Sequence, residues 1–191
     1  MGFNQPVKRV YFTKWVITAG SSLSVGGSTN LNKFSCAITQ YSQPDTLTFY
    51  QHPGENNIQI NGSLALKVQH FDCHNPPMTA NLRKALKAKE FPHLTIRFIT
   101  LNRYPAQFLN PETLKGQVLI GLAGVSKRYE INYRITPNGK KALTLEGTRQ
   151  VNFSDFNLVP PRKIGGMIQT NNALQVKFNL QVKVLDYHPT L

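Results

Sequence analysis

A chain of 191 residues, 40% of them apolar, has the usual length of a single domain and can bury one core, so we expect one domain over residues 1–191. The formal net charge of +13, from 22 Lys and Arg against 9 Asp and Glu, predicts attraction to nucleic acid, anionic membranes or phosphorylated ligands. No run of about 18 apolar residues is present, so we expect a soluble chain without a membrane-spanning helix. No secretory signal is recognisable, which leaves the cellular compartment open.

Alternation of apolar and polar residues predicts β-strands along most of the chain. The pattern is clearest over residues 174–184, where apolar side chains alternate with Gln, Lys and Asn. Less regular runs rich in β-branched and aromatic residues predict further strands. In chain order, the predicted strands cover residues 7–17, 31–38, 58–68, 94–101, 114–122, 129–135, 143–153 and 174–184.

Tight turns separate several of these strands, as at residues 121–124 and 137–139, and strands joined so closely must be antiparallel. Strands that are apolar on one face must close into a barrel or stack as two sheets to bury that face. Periodicity alone leaves both arrangements open. Gly26 and Gly27 predict a strand bend or bulge, because they lack the lysine and following helix of a phosphate-binding loop.

One segment, residues 78–89, has helical periodicity instead. Apolar residues such as Met78 and Leu82 recur there at helical spacing, which predicts a short amphipathic helix. We expect Thr79 to cap this helix, the two preceding prolines to prevent an earlier start, and Pro92 to stop it.

Six short motifs, taken in order, resemble the YceI-like family of polyisoprenoid-binding proteins. None is diagnostic alone, because each is a common pattern, but their order and spacing together match over nearly the whole chain. The helix departs from the family at residues 81–83, where an arginine, aspartate and histidine cluster is usual. The motifs are the serine- and glycine-rich segment 22–34, the helix 78–86, the segment 91–98, the strand, turn and strand 116–127, the aspartate-phenylalanine element 151–156 and the closing strand 174–184.

The resemblance implies an all-β fold, an extended antiparallel lipocalin-like β-barrel of about eight strands with one short α-helix. It implies a polyisoprenoid or other long-chain lipid in the lumen, carried or sequestered without catalysis or a cofactor, in a periplasmic or secreted protein. Two cysteines by themselves allow either a disulfide or two free thiols. The surroundings of Cys36 and Cys73 resemble a branch of the family with a cysteine pair at these positions, which implies a disulfide and an oxidising compartment.

Lipid binding requires a lumen lined by large apolar side chains and a polar mouth that holds a headgroup. The candidates for a charged mouth are Arg83, Lys87 and Arg97. The alternative is a filled core without a cavity. The candidates for the lining are Phe34, Phe71, Leu82, Leu86, Ile96, Phe98, Phe153, Phe156 and Phe178.

Other kinds of site have weaker support. His70, Asp72, Cys73 and His74 lie close together, but a polar strand end explains them and no distant fourth ligand is evident, so we expect no metal. No nucleophile elbow, phosphate-binding loop or carboxylate pair is recognisable, so we expect no enzyme.

The strongest alternative to lipid binding is a nucleic-acid-binding barrel. The basic residues are scattered and form no stripe with aromatic residues, so we expect no nucleic-acid partner. A ligand-free structural or interaction module is the other alternative. An anionic membrane surface is a further candidate partner, and the oligomeric state, including a homodimer, is left open.

Overall fold

The structure is a computed structural model that describes residues 11–41, 43–106, 109–185 and 188–189. Within these residues the chain forms twelve β-strands and one α-helix, α1 (Pro76–Ala85). Short 3-10 turns occupy Val68–His70, Phe153–Phe156 and Ile164–Gly166. The strands are β1 (Tyr11–Thr29), β2 (Lys33–Ile38), β3 (Thr46–Gln51), β4 (Ile58–Asn61), β5 (Ser63–Lys67), β6 (His93–Leu101), β7 (Glu112–Leu122), β8 (Val125–Pro137), β9 (Ala142–Asn152), β10 (Arg162–Lys163), β11 (Ile168–Val184) and β12 (His188–Pro189).

The antiparallel pairing of β1 with β11 closes the sheet into a barrel. It runs from Trp15 opposite Val184 to Thr29 opposite Thr170. From β11 the barrel continues through β9, β8, β7, β6, β4 and β3, which pairs with β1 again. The predicted all-β fold, an antiparallel barrel of eight strands with one helix, is therefore confirmed.

Several strand predictions need correction. The predicted strand 7–17 includes the start of β1, which continues to Thr29. The predicted strand 58–68 is interrupted at Gly62, where a Cβ atom would lie 2.7 Å from the Thr46 carbonyl oxygen. The strand β3 was not predicted, because only Leu47 and Phe49 alternate inward within its six residues. The start of the predicted strand 7–17, residues 7–10, lies outside the described residues.

The helix begins earlier than its predicted cap. Asn75 is the N-cap residue, and its side chain accepts a hydrogen bond from the Met78 N–H at 3.0 Å. The two prolines occupy the first helical positions, where their missing N–H groups have no partner within the helix in any case. Thr79 lies inside the helix. The prediction that the prolines prevent an earlier start was therefore wrong.

The disulfide implied by the resemblance is present. Cys36 in β2 is bonded to Cys73, just before α1, and closes a segment of 37 positions. Next to it, Ala37 and Asp72 exchange two backbone hydrogen bonds of 2.8 and 2.9 Å. The segment preceding the helix is thereby joined to the barrel wall.

Aromatic rings fill the middle of the barrel. Phe98, Tyr133 and Phe178 pack together with ring centroids between 5.9 and 6.3 Å apart. Gly147 leaves room for them, because a Cβ atom there would lie 2.1 Å from the Phe178 ring. The Tyr133 hydroxyl is buried and has no hydrogen-bond partner in the described part of the chain, and burial raises its pKa. This hydroxyl therefore stays protonated at neutral pH.

A second aromatic cluster closes the end of the barrel at which β1 begins. The ring centroids of Trp15 and Phe49 are 4.3 Å apart, and the Trp15 indole N–H donates to the Tyr104 hydroxyl at 3.0 Å. Among the described residues, no helix has the length and apolar character required to span a membrane.

Candidate functional site

A cavity of about 140 Å³ lies at the end of the barrel where β1 ends and β11 begins. Its walls come from four parts of the chain: the β1–β2 turn with the start of β2, α1, the 3-10 turn after β9 and the β10–β11 hairpin. The inner wall is apolar, formed by Phe34, Met78, Leu82, Phe153 and Ile168. Such a wall favours apolar groups, because they leave water on entering.

The position of Phe34 on this wall depends on Gly27. A Cβ atom at Gly27 would lie 2.4 Å from the Phe34 ring and 3.0 Å from Leu174. The register of the β1–β11 pairing also shifts between Gly27 and Thr29, which agrees with the predicted bend or bulge. Glycine at this point lets an aromatic ring cross the strand and face the cavity.

The outer part of the cavity is polar and basic. Lys33, from β2, and Lys163, from β10, bring two positive charges to it. No carboxylate, histidine or cysteine occurs among the described residues that line the cavity. This rim can therefore accept a negatively charged or hydrogen-bonding end of a ligand. The lining residues outside the inner wall are Thr29, Leu31, Asn32, Lys33, Asn81, Pro161, Lys163 and Thr170.

Three separate links hold α1 over the cavity. Arg83 donates from Nε and Nη2 to the Phe71 carbonyl oxygen at 3.2 and 2.7 Å. The Thr79 hydroxyl accepts from the Cys73 N–H at 3.0 Å. The disulfide from Cys73 to Cys36 provides the third link. The helical wall of the cavity is thus attached to the barrel by covalent and hydrogen bonds.

A hydrogen-bonded turn positions Phe153. The Asp155 carboxylate accepts from the Asn152 N–H at 2.9 Å and from the Tyr129 hydroxyl at 3.0 Å. These bonds, that from Asn152 above all, lower the pKa of Asp155, and burial raises the pKa of Tyr129. At neutral pH the carboxylate accepts and the phenol donates, and the turn directs Phe153 and Phe156 into the interior.

The β10–β11 hairpin is fastened to the β1–β2 turn by Asn30. Its side chain donates to the Met167 carbonyl oxygen at 2.9 Å and accepts from the Gln169 N–H at 3.0 Å. The two loops that carry Lys33 and Lys163 are therefore adjacent.

The YceI-like domain model matches residues 15–182, which include most of the barrel and the whole lining of the cavity. The chain belongs to the YceI-like family. A comparison with curated proteins found no match.

Solved structures support this family fold. BcnA from Burkholderia cenocepacia is 17% identical, with 87% of this chain and 98% of that chain covered and a TM-score of 0.65. A polyisoprenoid binding domain from Saccharophagus degradans, implicated in plant cell wall breakdown, is 9% identical, with 90% and 98% covered and a TM-score of 0.58. At these identities the likeness concerns the fold.

The YceI-like barrel brings only part of the predicted lining to the cavity. Phe34, Leu82 and Phe153 lie on its wall. Alternation shows which face of a strand points inward but not how far along the barrel a residue lies. The other candidates are buried in the core away from this cavity, namely Phe71, Leu86, Ile96, Phe98, Phe156 and Phe178.

The three residues predicted for the mouth lie elsewhere. The Arg83 guanidinium is bound to the Phe71 carbonyl. Lys87 is exposed beyond the end of α1, with a backbone φ of +53°. Arg97 lies on the outer face of β6, because its neighbours Ile96 and Phe98 point inward. The sequence motifs thus located the helix but did not show which basic residues surround the cavity.

Sequence reasoning missed Lys33, Lys163, Met78 and Ile168. Met78 was recognised on the apolar face of the helix, and Lys33 stands beside Phe34, so both had a detectable signal. Lys163 and Ile168 lie in a segment without regular alternation, and only the return of the β10–β11 hairpin brings them to the cavity.

The polar segment before α1 is arranged differently from a metal site. The Cys73 sulfur is bonded to Cys36, and the exposed His74 and Asp72 side chains approach to 3.8 Å. Across the described ranges, no group of three or more His, Cys, Asp or Glu residues is placed to hold a metal ion.

Proposed function

We propose that this protein binds an apolar lipid of the polyisoprenoid type without covalent chemistry and carries or sequesters it, acting as one domain in an oxidising compartment such as the periplasm. The observation that carries this proposal is the apolar cavity with a basic rim at one end of a YceI-like barrel. The Saccharophagus degradans structure of the same fold, described as a polyisoprenoid binding domain, supports the class of lipid. The disulfide is consistent with an oxidising compartment.

The size of the cavity decides how such a lipid would enter. A volume of about 140 Å³ suits a group about as large as benzene, whereas drug-sized ligands occupy about 300–1,000 Å³. A polyisoprenoid chain therefore needs additional room. Phe34 and Met78 are only partly buried on the wall, and rotation of their side chains is the change that enlarges the cavity with least disturbance of the core.

The rim sets the orientation of the lipid. Lys33 and Lys163 lie at the outer part of the cavity, while the inner wall is apolar. The chain would enter first, and a phosphate or other anionic end would stay at the two ammonium groups in contact with water. Membranes that contain such lipids are the source from which the cavity would be filled.

A substitution in α1 that fills the cavity with a larger side chain tests the proposal. Met78→Trp is expected to weaken farnesol binding at least about 10-fold, because the indole occupies the space that the ligand needs. Binding of farnesol to the purified full chain would be measured by calorimetry, and lipid extraction with native mass spectrometry would identify any lipid that co-purifies.

The matched control is Ala80→Trp, which adds the same side chain at an exposed position of the same helix. It is expected to bind farnesol like the parent protein. Equal farnesol affinity in the two variants would contradict the cavity as the binding site. If the parent protein binds no farnesol and carries no lipid, the lipid proposal fails.

The rim lysines make a separate prediction about the headgroup. In the double variant K33Q/K163Q, farnesyl phosphate is expected to bind roughly 5- to 30-fold more weakly at low salt, because two positive charges near the phosphate are lost. Farnesol, which has no charge, serves as the internal control and should bind with unchanged affinity. Equal losses for the alcohol and the phosphate would show that the lysines shape the cavity and do not select the headgroup.

A further inference from the structure

Four large apolar side chains are exposed around the mouth of the cavity, and we call them the apolar tip. Leu31, in the β1–β2 turn, is 64% exposed, and Val159, Ile164 and Met167, on the segment around β10, are 77%, 66% and 72% exposed. The Asn30 side chain, bonded to the Met167 carbonyl, holds the two loops of the tip together. Exposed apolar side chains that cluster in this way mark an interaction surface.

The backbone at Ile164 indicates that this side chain has a use outside the fold. Ile164, Gly165 and Gly166 have φ values of +51°, +60° and +92°. A left-handed conformation is common for glycine and unfavourable for a β-branched residue. Ile164 thus combines an unfavourable backbone conformation with an exposed apolar side chain that gains nothing from burial within the hairpin.

The surroundings of the tip are positively charged. The segments that form the cavity mouth, 28–34, 76–85 and 159–170, contain five basic residues and no acidic residue. Arg162 and Lys163 directly precede Ile164, and Lys33 lies two positions after Leu31. Two copies of this surface would repel each other, whereas an anionic bilayer matches its charge.

We propose that the apolar tip, with Lys33, Arg162 and Lys163, docks the protein on anionic phospholipid membranes with the mouth of the cavity facing the bilayer. The apolar side chains enter the boundary between headgroups and acyl chains, and the basic side chains contact lipid phosphates. In this orientation a lipid passes between membrane and cavity without crossing water. This transfer role rests on the proposed function, whereas docking itself does not.

Vesicle flotation tests docking. The parent protein is expected to bind phosphatidylglycerol vesicles more tightly than phosphatidylcholine vesicles. I164S/M167S should lower the partition coefficient at least about 10-fold, because two apolar side chains no longer enter the interface. R162Q/K163Q should lower partitioning onto phosphatidylglycerol roughly 10- to 30-fold and leave phosphatidylcholine partitioning unchanged.

Leu109→Ser is the matched control, since Leu109 is 71% exposed but precedes β7 at the opposite end of the barrel. It should float like the parent. Docking is overturned if the parent does not bind phosphatidylglycerol vesicles, or if I164S/M167S floats as well as Leu109→Ser. Dissociation of a dimer by I164S/M167S, with flotation unchanged, would also overturn docking and identify the tip as a contact between copies.

Farnesol binding without vesicles separates docking from the proposed function. Ile164 and Met167 do not line the cavity, so I164S/M167S should bind farnesol like the parent. Loss of flotation with farnesol binding retained supports docking. Failure of farnesol binding in the parent, with normal flotation, would refute the proposed ligand and leave the proposal of membrane docking unaffected.

Discussion

Replacing both cysteines, in C36A/C73A, is expected to lower the free energy of unfolding by about 3 to 4 kcal/mol. The disulfide closes 37 positions, and the unfolded chain gains the corresponding loop entropy when the link is removed. For a protein of this length, the loss corresponds to a decrease in Tm of about 6 to 16 °C. Urea and thermal denaturation of the oxidised parent and the variant, monitored by circular dichroism, measure both quantities.

Reducing agent provides the control. It should destabilise the parent protein by a similar amount and leave C36A/C73A unchanged, because the variant has no remaining thiol. A variant as stable as the oxidised parent would show that the hydrogen bonds of Arg83 and Thr79 hold α1 without help from the disulfide.

A second large loss of stability is expected from a substitution in the middle of the barrel. Phe178→Ala is expected to lower the free energy of unfolding by about 3 to 5 kcal/mol, because it removes a fully buried ring that packs against Phe98 and Tyr133. Chemical denaturation measures this loss. Farnesol affinity should be unchanged, since Phe178 does not line the cavity.

A double-mutant cycle with Gly147 tests the packing directly. Gly147→Ala alone should destabilise the protein, because the added methyl group overlaps the Phe178 ring. In the Phe178→Ala background the same change should leave the free energy of unfolding almost unchanged, because the methyl group enters the vacated space. Additive effects of the two substitutions would contradict the observed contact.

Some elements were predicted correctly and others were missed or misplaced, and each outcome has a physical reason. The closing strand was predicted from its alternation, and β11 has that pattern with inward residues from Leu174 to Val182. The short strand β3 was missed, since two inward residues do not make a recognisable period. The helix start was misplaced because proline was taken as a barrier, although it is well suited to a first helical turn.

The site was predicted less completely than the fold. Phe34, Leu82 and Phe153 were recognised as apolar and inward, and they meet at the cavity. Arg83 was assigned to the mouth from its place in the helix. Its side chain instead attaches the helix to the Phe71 carbonyl oxygen by hydrogen bonds. A basic residue has the same sequence signature whether it binds a ligand, a carbonyl group or water.

The sequence by itself determined the all-β class, the single helix, the positive charge and, through family resemblance, the barrel and the Cys36–Cys73 disulfide. Alternation and motif order are local properties, so they can be read along the chain. Only the tertiary structure decided that the cavity lies under α1 and that Lys33 and Lys163 lie on its rim. These positions depend on barrel closure and on the return of the β10–β11 hairpin, which bring together residues that are far apart in sequence.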